Sequence, residues 1–335
     1  MSSKRSTPSI AWYRTPVERE TMQALNKRSD WKAFLQTGAH VGLILLTGTL
    51  AWQVQDRLYL LLPVLWLYGT FFVFLLNATH ELSHNSVFKT RWLNEFFLRL
   101  FCFIGWRSYV MFWSSHAEHH KYTLHQPEDL EVVLPRQLKL GDFLRTAFVD
   151  PWTFYDTMKR TVGLGLGRVS GQWEEYLLEM ANGEKRQQLF NWARLQLVGH
   201  AAIVGVSIYF ELWLLPVLTT FAVFYGGWLR FLCNNTQHTG LSDEVLDFRL
   251  CTRTMILNPF FRFLYWHMNY HIEHHMYAAV PCYNLAKLHR AIRHDLPPSP
   301  SGLVAAWKEI IAIVKQQRVE PEYQYIPELP TRVAV

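Results

Sequence analysis

Trp266 to Tyr277 reads WHMNYHIEHHMY, and a helix through it sets His267, His271, His274 and His275 at i, i+4, i+7 and i+8. At about 100° per residue the four cover an arc of roughly 100° on one face. Neutral imidazoles are good ligands for zinc, copper, iron and nickel, and several on one face can converge on an ion at little further ordering cost. A lone histidine is more often solvated or bonded to a carbonyl, but this pattern recurs. SSHAEHHKY carries His116, His119 and His120 with the spacing of His271, His274 and His275, and ATHELSH carries His80 and His84 one turn apart. With 15 histidines in 335 residues, chance is a poor explanation for two short windows holding three each. The clustered imidazoles are too many for one zinc ion, which takes about four ligands. They suit two ions with partly open coordination.

The rest of the chain points to a membrane. Half of its residues are hydrophobic, 15% are aromatic and only 18% are charged, whereas length alone would allow about two soluble domains. Cys102, Cys233, Cys251 and Cys282 have no C-x-x-C spacing, which argues against a disulfide framework or a thiolate metal site. Residues 1–32 are polar and lack the apolar core of a signal peptide. Apolar runs predict four spans, at about 34–53, 58–79, 192–210 and 212–232. His40, inside the first run, reads as a hydrogen-bonded neutral histidine.

A helix from Leu58 through His84 would carry His80 about 33 Å from its start, just beyond the hydrocarbon. Residues 92–106 read as an interfacial or re-entrant helix. The run GLGLG at 163–167 lacks the spacing of a nucleotide loop and reads as a flexible connection. Lys and Arg concentrate before the first span (7), between the second and third (14, counting Arg194 at the third span's edge) and after the fourth (11, counting Arg230 at that span's end), with 1 and 0 in the remaining connections. The positive-inside rule then puts both termini and every clustered histidine in the cytosol. The expected architecture is an all-α integral membrane protein: four transmembrane helices, interfacial helices, and a cytosolic helical cap (80–190 and 233–300) carrying the histidines. A membrane domain would thus occupy 33–300, followed by a cytosolic tail, 301–335. The net charge of +6 suits a face near anionic lipid; no motif supports nucleic-acid binding.

HELSH, HAEHH and HIEHH, in this order and on one side of four spans, resemble the three histidine boxes of the membrane fatty acid desaturase and hydroxylase superfamily. The resemblance extends from about Ala51 to His289, through the continuation HHMYAAVPCYNLAKLH. It implies an oxygen-dependent, non-haem di-iron centre acting on an unactivated C–H bond, with His80, His84, His116, His119, His120, His271, His274 and His275 as ligands. Family members with described structures use a further histidine and an asparagine one turn before it; His238 and Asn234, in NNTQHTG, have that spacing. The resemblance also implies a lipid or acyl substrate, O2 as co-substrate, and electrons from a separate ferredoxin or b-type cytochrome. The membrane would be the endoplasmic reticulum or the bacterial inner membrane. Desaturation is the expected outcome and hydroxylation the alternative.

The residues also suggest supporting roles. Glu118 and Glu273, between box histidines, are candidates to accept imidazole N–H groups, as are Glu128 and Asp129 after the second box. His267 matches no box and is a further candidate neighbour of the metals. Trp106, Trp113, Phe231 and Trp266 are expected to line the substrate pocket, and His40, His200, His289 and His294 to be dispensable. Two rival classes use fewer of these residues. HELSH is also H-E-x-x-H, the helix of a zinc metalloprotease with Glu81 as base, but that leaves six clustered histidines without a role. A histidine-rich receptor or transporter should place polar residues at mid-depth in several spans, and the second and fourth runs are clean until their ends.

Overall fold

The computed structural model describes residues 10–134, 139–179 and 183–330. The ends of the polar N-terminal segment and of the C-terminal tail lie outside them. The regular elements among the described residues are helices, joined by isolated bridges such as Tyr13 to Asp247 and Val149 to Tyr225.

Two helical stretches, Asp30–Gln53 and Leu58–Ser83, are long and apolar enough to cross a membrane. They form a hairpin about the turn at Val54–Arg57. Ser29 starts the first by accepting from the Lys32 N–H at 3.4 Å. The second is interrupted at Phe74, between Leu58–Val73 and Leu75–Ser83, so His80 lies in its last segment and His84 caps it. Large apolar side chains such as Leu45, Leu46, Leu58 and Leu62 stand exposed on the hairpin. Leu195, Val198 and Ile208 do so on the helix Gly183–Tyr209. Such faces are stable against lipid and costly against water. His40 is buried as expected, its Nε2 2.9 Å from the Phe71 carbonyl and its Nδ1 accepting from the Trp266 indole at 2.9 Å.

The run 212–232 is not one helix. It breaks into Leu214–Leu218, a single 3-10 turn at Ala222–Phe224, and Trp228–Asn234. Its middle pairs with the chain before residue 151: Asp150 N–H donates to the Phe224 carbonyl at 2.8 Å, Gly226 N–H to Phe148 at 3.0 Å, and Gly227 N–H to Thr146 at 2.9 Å. These bonds satisfy backbone groups that a continuous helix would have satisfied internally. A close approach holds the break in place. A Cβ on Gly69 would lie 2.5 Å from the Tyr225 carbonyl, and one on Gly226, which is at φ +68°, would lie 2.6 Å from that of Trp66. Hydropathy cannot register such pairing, because it depends on a segment 75 residues away in sequence.

GLGLG is likewise a helix end rather than a flexible connection. It closes the helix Pro151–Gly165, with Gly167 at φ +75° and the Arg168 N–H returning to the Gly163 carbonyl at 2.8 Å. The helix Arg91–Ile104 packs on Leu75–Ser83. All four cysteines are buried and free, as expected of packing residues.

One apolar core joins the long hairpin to the region before and after the third box, through Phe71, Phe74, Leu82, Tyr265, Trp266 and Ile272. The chain near its N-terminus lies across the outside of this region. Trp12 stacks on Phe248 at 4.1 Å, and the Phe248 ring lies 5.3 Å from that of His275. Tyr13 and Thr15 donate to Asp295, which also pairs with Arg249 at 2.6 Å.

Candidate metal centre

Three short helices present the boxes, and left-handed residues bracket them. Asn85 follows the first box, Trp106 precedes the second helix and Leu124 follows it, and Trp266 and His267 precede the third, all at φ between 52° and 61°. Each such residue costs about 1–2 kcal/mol, a strain tolerated where the surroundings fix the backbone. The third box therefore sits on a helix of only His271–Met276, not on one running from Trp266. His267 consequently leaves the shared face. It is half-buried, and desolvation, helped by the charge of Arg262, pulls its imidazole down to about 4; it does not join the other histidines.

The remaining nine candidates do come together. Donor nitrogens of His80, His84, His116, His120 and His274 all lie within 4.8 Å of one another, and so do those of His119, His238 and His275. His271 adjoins the second group, its Nε2 3.0 Å from that of His238 and 3.2 Å from that of His275. In the first group the His116 Nε2 is 3.1 Å from that of His84 and 3.0 Å from that of His120, which is 3.2 Å from that of His274. Two nitrogens bound at about 2.1 Å to one ion, with bonds near a right angle, lie about 3.0 Å apart.

The opposite ring nitrogens are anchored. His116 Nδ1 is 2.8 Å from Glu131, His119 Nδ1 2.8 Å from Asp129, His80 Nδ1 3.0 Å from Glu81, and His238 Nδ1 2.8 Å from the Cys251 carbonyl. Thr123 Oγ1 lies 3.2 Å from His275 Nδ1. A carbonyl or carboxylate holds the proton on Nδ1 and leaves the Nε2 lone pair facing the cluster. Burial pulls His116, His120, His271, His274 and His275 well below the ordinary imidazole range, and His238 to about 3. They are therefore neutral and ready to ligate. His119 differs: burial pulls it down, but the charge and hydrogen bond of Asp129 outweigh that and leave it raised.

Burial likewise works to lift Asp129 and is outweighed by His119 and the N–H groups of Leu124 and Glu131, so this fully buried carboxylate stays ionised. The donor set is all imidazole nitrogen, mostly buried and convergent, which suits two ions of a metal such as iron, zinc or copper. The Nδ1 atoms of His271 and His274 are buried without hydrogen-bond partners.

Some supporting residues differ from expectation. Glu118 pairs with Lys121 at 2.6 Å on the outside of its helix, because its position between His116 and His119 turns it away from them. Glu273 binds His289 and accepts from Thr254 at 2.5 Å, bracing the third box from behind rather than holding a box imidazole. His289 is thus a buried partner of that carboxylate, and His200 is held between Thr220 and the Phe103 carbonyl at 3.1 and 3.0 Å, so neither is a free surface group. No hydrogen bond links Glu128 to a histidine among the described residues. Glu131 and Thr123 were not legible as partners; their only signal is position shortly after the second box. Glu118→Gln is expected to leave bound iron and turnover within about twofold of wild type. Glu131→Gln should lower metal affinity roughly 10–100-fold, as read by chelator competition.

The centre opens on a cavity of about 1040 Å³ lined by Trp106, Met111, Phe112, Phe231, Asn234 and His271 among others. Trp106 and Phe231 are therefore placed as expected. Trp113 and Trp266 are not: Trp113 packs at 5.9 Å beside His84, and Trp266 is buried against His40. Asn234 accepts from the Asn77 amide at 3.1 Å on the cavity wall.

Comparison with known proteins agrees with this geometry. A curated relative from Picosynechococcus sp., an sn-1 oleoyl-lipid 12-desaturase, is 22% identical, with 90% of this chain and 88% of the relative covered. A sphingolipid delta(4)-desaturase DES1-like protein of Oryza sativa subsp. japonica is 25% identical over 87% of this chain and 81% of its own length. The family profile described as fatty acid desaturase matches residues 57–307, a span holding all three boxes, His238 and the cavity. With the match covering most of the sequence and the histidines assembled as two groups, the chain belongs to the fatty acid desaturase family.

Proposed function

We propose that this protein is an oxygen-dependent di-iron desaturase that removes two hydrogens from an acyl chain or related lipid-like molecule to leave a C=C bond. The observation that carries the reading is the pair of adjoining, largely buried imidazole groups beside one cavity. His80, His84, His116, His120 and His274 would hold one iron and His119, His238, His275 and His271 the other, with Asn234 beside the second group. When bound, the iron pair supplies oxygen activation for breaking an unactivated C–H bond. Glu131 and Asp129 keep protons on the outer nitrogens of His116 and His119, so the inner lone pairs stay aimed at the cluster. Leu76, Met111, Phe112 and Phe231 exclude water and hold the chain to be oxidised.

The hairpin as far as residue 79, the helix from residue 192 to 209 and the interrupted run 212–232 lie in the membrane, with the boxes and both termini in the cytosol. A separate ferredoxin or b-type cytochrome supplies electrons, and the basic face favours an acidic one. The test joins metal analysis to lipid profiling. Cells expressing the chain are expected to accumulate an unsaturated product absent from a His274→Ala control, and the purified protein to hold about two irons per chain. One zinc per chain, or product formation by the control, would sink the reading, while a hydroxylated product would assign the hydroxylase outcome.

A further inference from the structure

The cavity beside the histidines is not a plain apolar tunnel. Two guanidinium groups enter it, from Arg107 and Arg230, and neither has an ion-pair partner among the described residues. Arg107 donates at 2.9 Å to the Leu76 carbonyl and at 2.9 Å to Thr79 Oγ1, and lies 4.3 Å from the centroid of the Phe112 ring. Arg230 donates through Nε to Asn77 at 3.0 Å. Both line the one cavity, and the charge of Arg107 is felt at Arg230.

The carboxylates lining the same cavity are mostly engaged elsewhere: Asp150 by Arg145 at 3.2 Å, Glu174 by Arg160 at 2.9 Å, and Glu131 by His116 and Ser115. Asp156 and Arg168 stand exposed at the rim. Both guanidinium groups are largely shielded from water, and Arg107 feels the charge of Glu131 but no carboxylate lies at ion-pair distance from either, so an anionic group between them would complete the site. A guanidinium fork matches the oxygens of a carboxylate or phosphate in two parallel hydrogen bonds.

We propose that Arg107 and Arg230 bind an anionic oxygen group, carboxylate or phosphate, carried by the substrate close to its reacting carbon. This rests on the desaturase reading and narrows it. Asn77, which Arg230 holds, is one turn before His80, and Phe112, under Arg107, stacks on the His116 ring at 5.3 Å. An anion between the two arginines is therefore roughly one or two helical turns, about 5–11 Å, from the metal-binding nitrogens. That leaves room for only a few carbons between the charged end and the bond that is oxidised. The substrate class is an anionic amphiphile or small acid attacked near its head, not the middle of an esterified chain.

The test is equilibrium binding to the purified, metal-free full chain in detergent, with radiolabelled decanoic acid, methyl decanoate and decyl phosphate. The acid and the alkyl phosphate are expected to bind at least about tenfold more tightly than the ester. Arg230→Gln should reduce that preference below about twofold with the ester unaffected. Equal affinity of wild type for acid and ester overturns the proposal, and this comparison needs no variant to fold. Displacement by inorganic phosphate as effective as by decyl phosphate also overturns it, since the site would then serve a free anion. Iron content is measured on a separately loaded sample. Failure to take up iron would refute the desaturase reading and leave the acid-to-ester ratio standing.

Discussion

Replacing His120 by alanine is expected to abolish turnover and to empty both metal positions, a larger effect than loss of any other box histidine. His120 makes the shortest ring contact between the two groups, to His275. Its Nε2 lies 3.0 and 3.2 Å from those of His116 and His274, while its ring stacks at 4.5 Å on that of His275 and meets that of His119 at 6.0 Å. Removing it takes a ligand from the first group and a packing wall from the second. Activity should fall below about a hundredth of wild type, beyond the roughly 10–100-fold that loss of a ligand's hydrogen-bond partner causes. Bound iron should drop from about two per chain to below one. The measurement is metal content by mass spectrometry alongside product formation; retention of one full equivalent of iron would show that the groups bind independently.

The second large effect is expected at Asp129. Its carboxylate accepts from His119 Nδ1 and the Leu124 N–H through one oxygen, each at 2.8 Å, and from the Glu131 N–H at 2.9 Å through the other. One buried group thus orients a ligand histidine and folds the loop that delivers Glu131 to His116. Asp129→Ala leaves three donors without an acceptor and, by analogy with other broken buried pairs, should cost about 3–5 kcal/mol of stability. Chemical unfolding of the metal-free protein reads this directly. Asp129→Asn retains an acceptor for the backbone, so it should recover part of the stability while the orientation of His119 stays impaired. Equal stability of all three proteins would mean that the loop is held by other contacts.

The difference between what could and could not be read in the sequence has a physical basis. The box histidines were legible because helical spacing is local: HAEHH and HIEHH each put their imidazoles on a small arc before any tertiary contact is considered. His238 was legible only through the resemblance, since a lone histidine carries no spacing signal. The partners of the ligands were harder. Glu118 and Glu273 are adjacent to ligands in sequence and turn outward because helical neighbours do not share a face. Glu131 and Thr123 reach their histidines through loop geometry that no periodicity encodes.

The error about the third box came from continuing a helix through Trp266 and His267, whose left-handed backbone the composition does not announce. The run 212–232 failed as a single helix for a complementary reason. Its apolarity is real, but its backbone is satisfied by residues 146–150 rather than by itself.

The stacking of Trp12 on Phe248, with Phe248 in turn against His275, bears on how the protein is handled. A fusion partner or affinity tag placed immediately ahead of Trp12 would pull on a lever whose far end rests on the ring of His275, one of the proposed ligands. Preparations carrying such an extension risk being under-loaded for reasons unrelated to the boxes, and a tag placed beyond Pro330, away from that lever, is the safer choice for quantitative work.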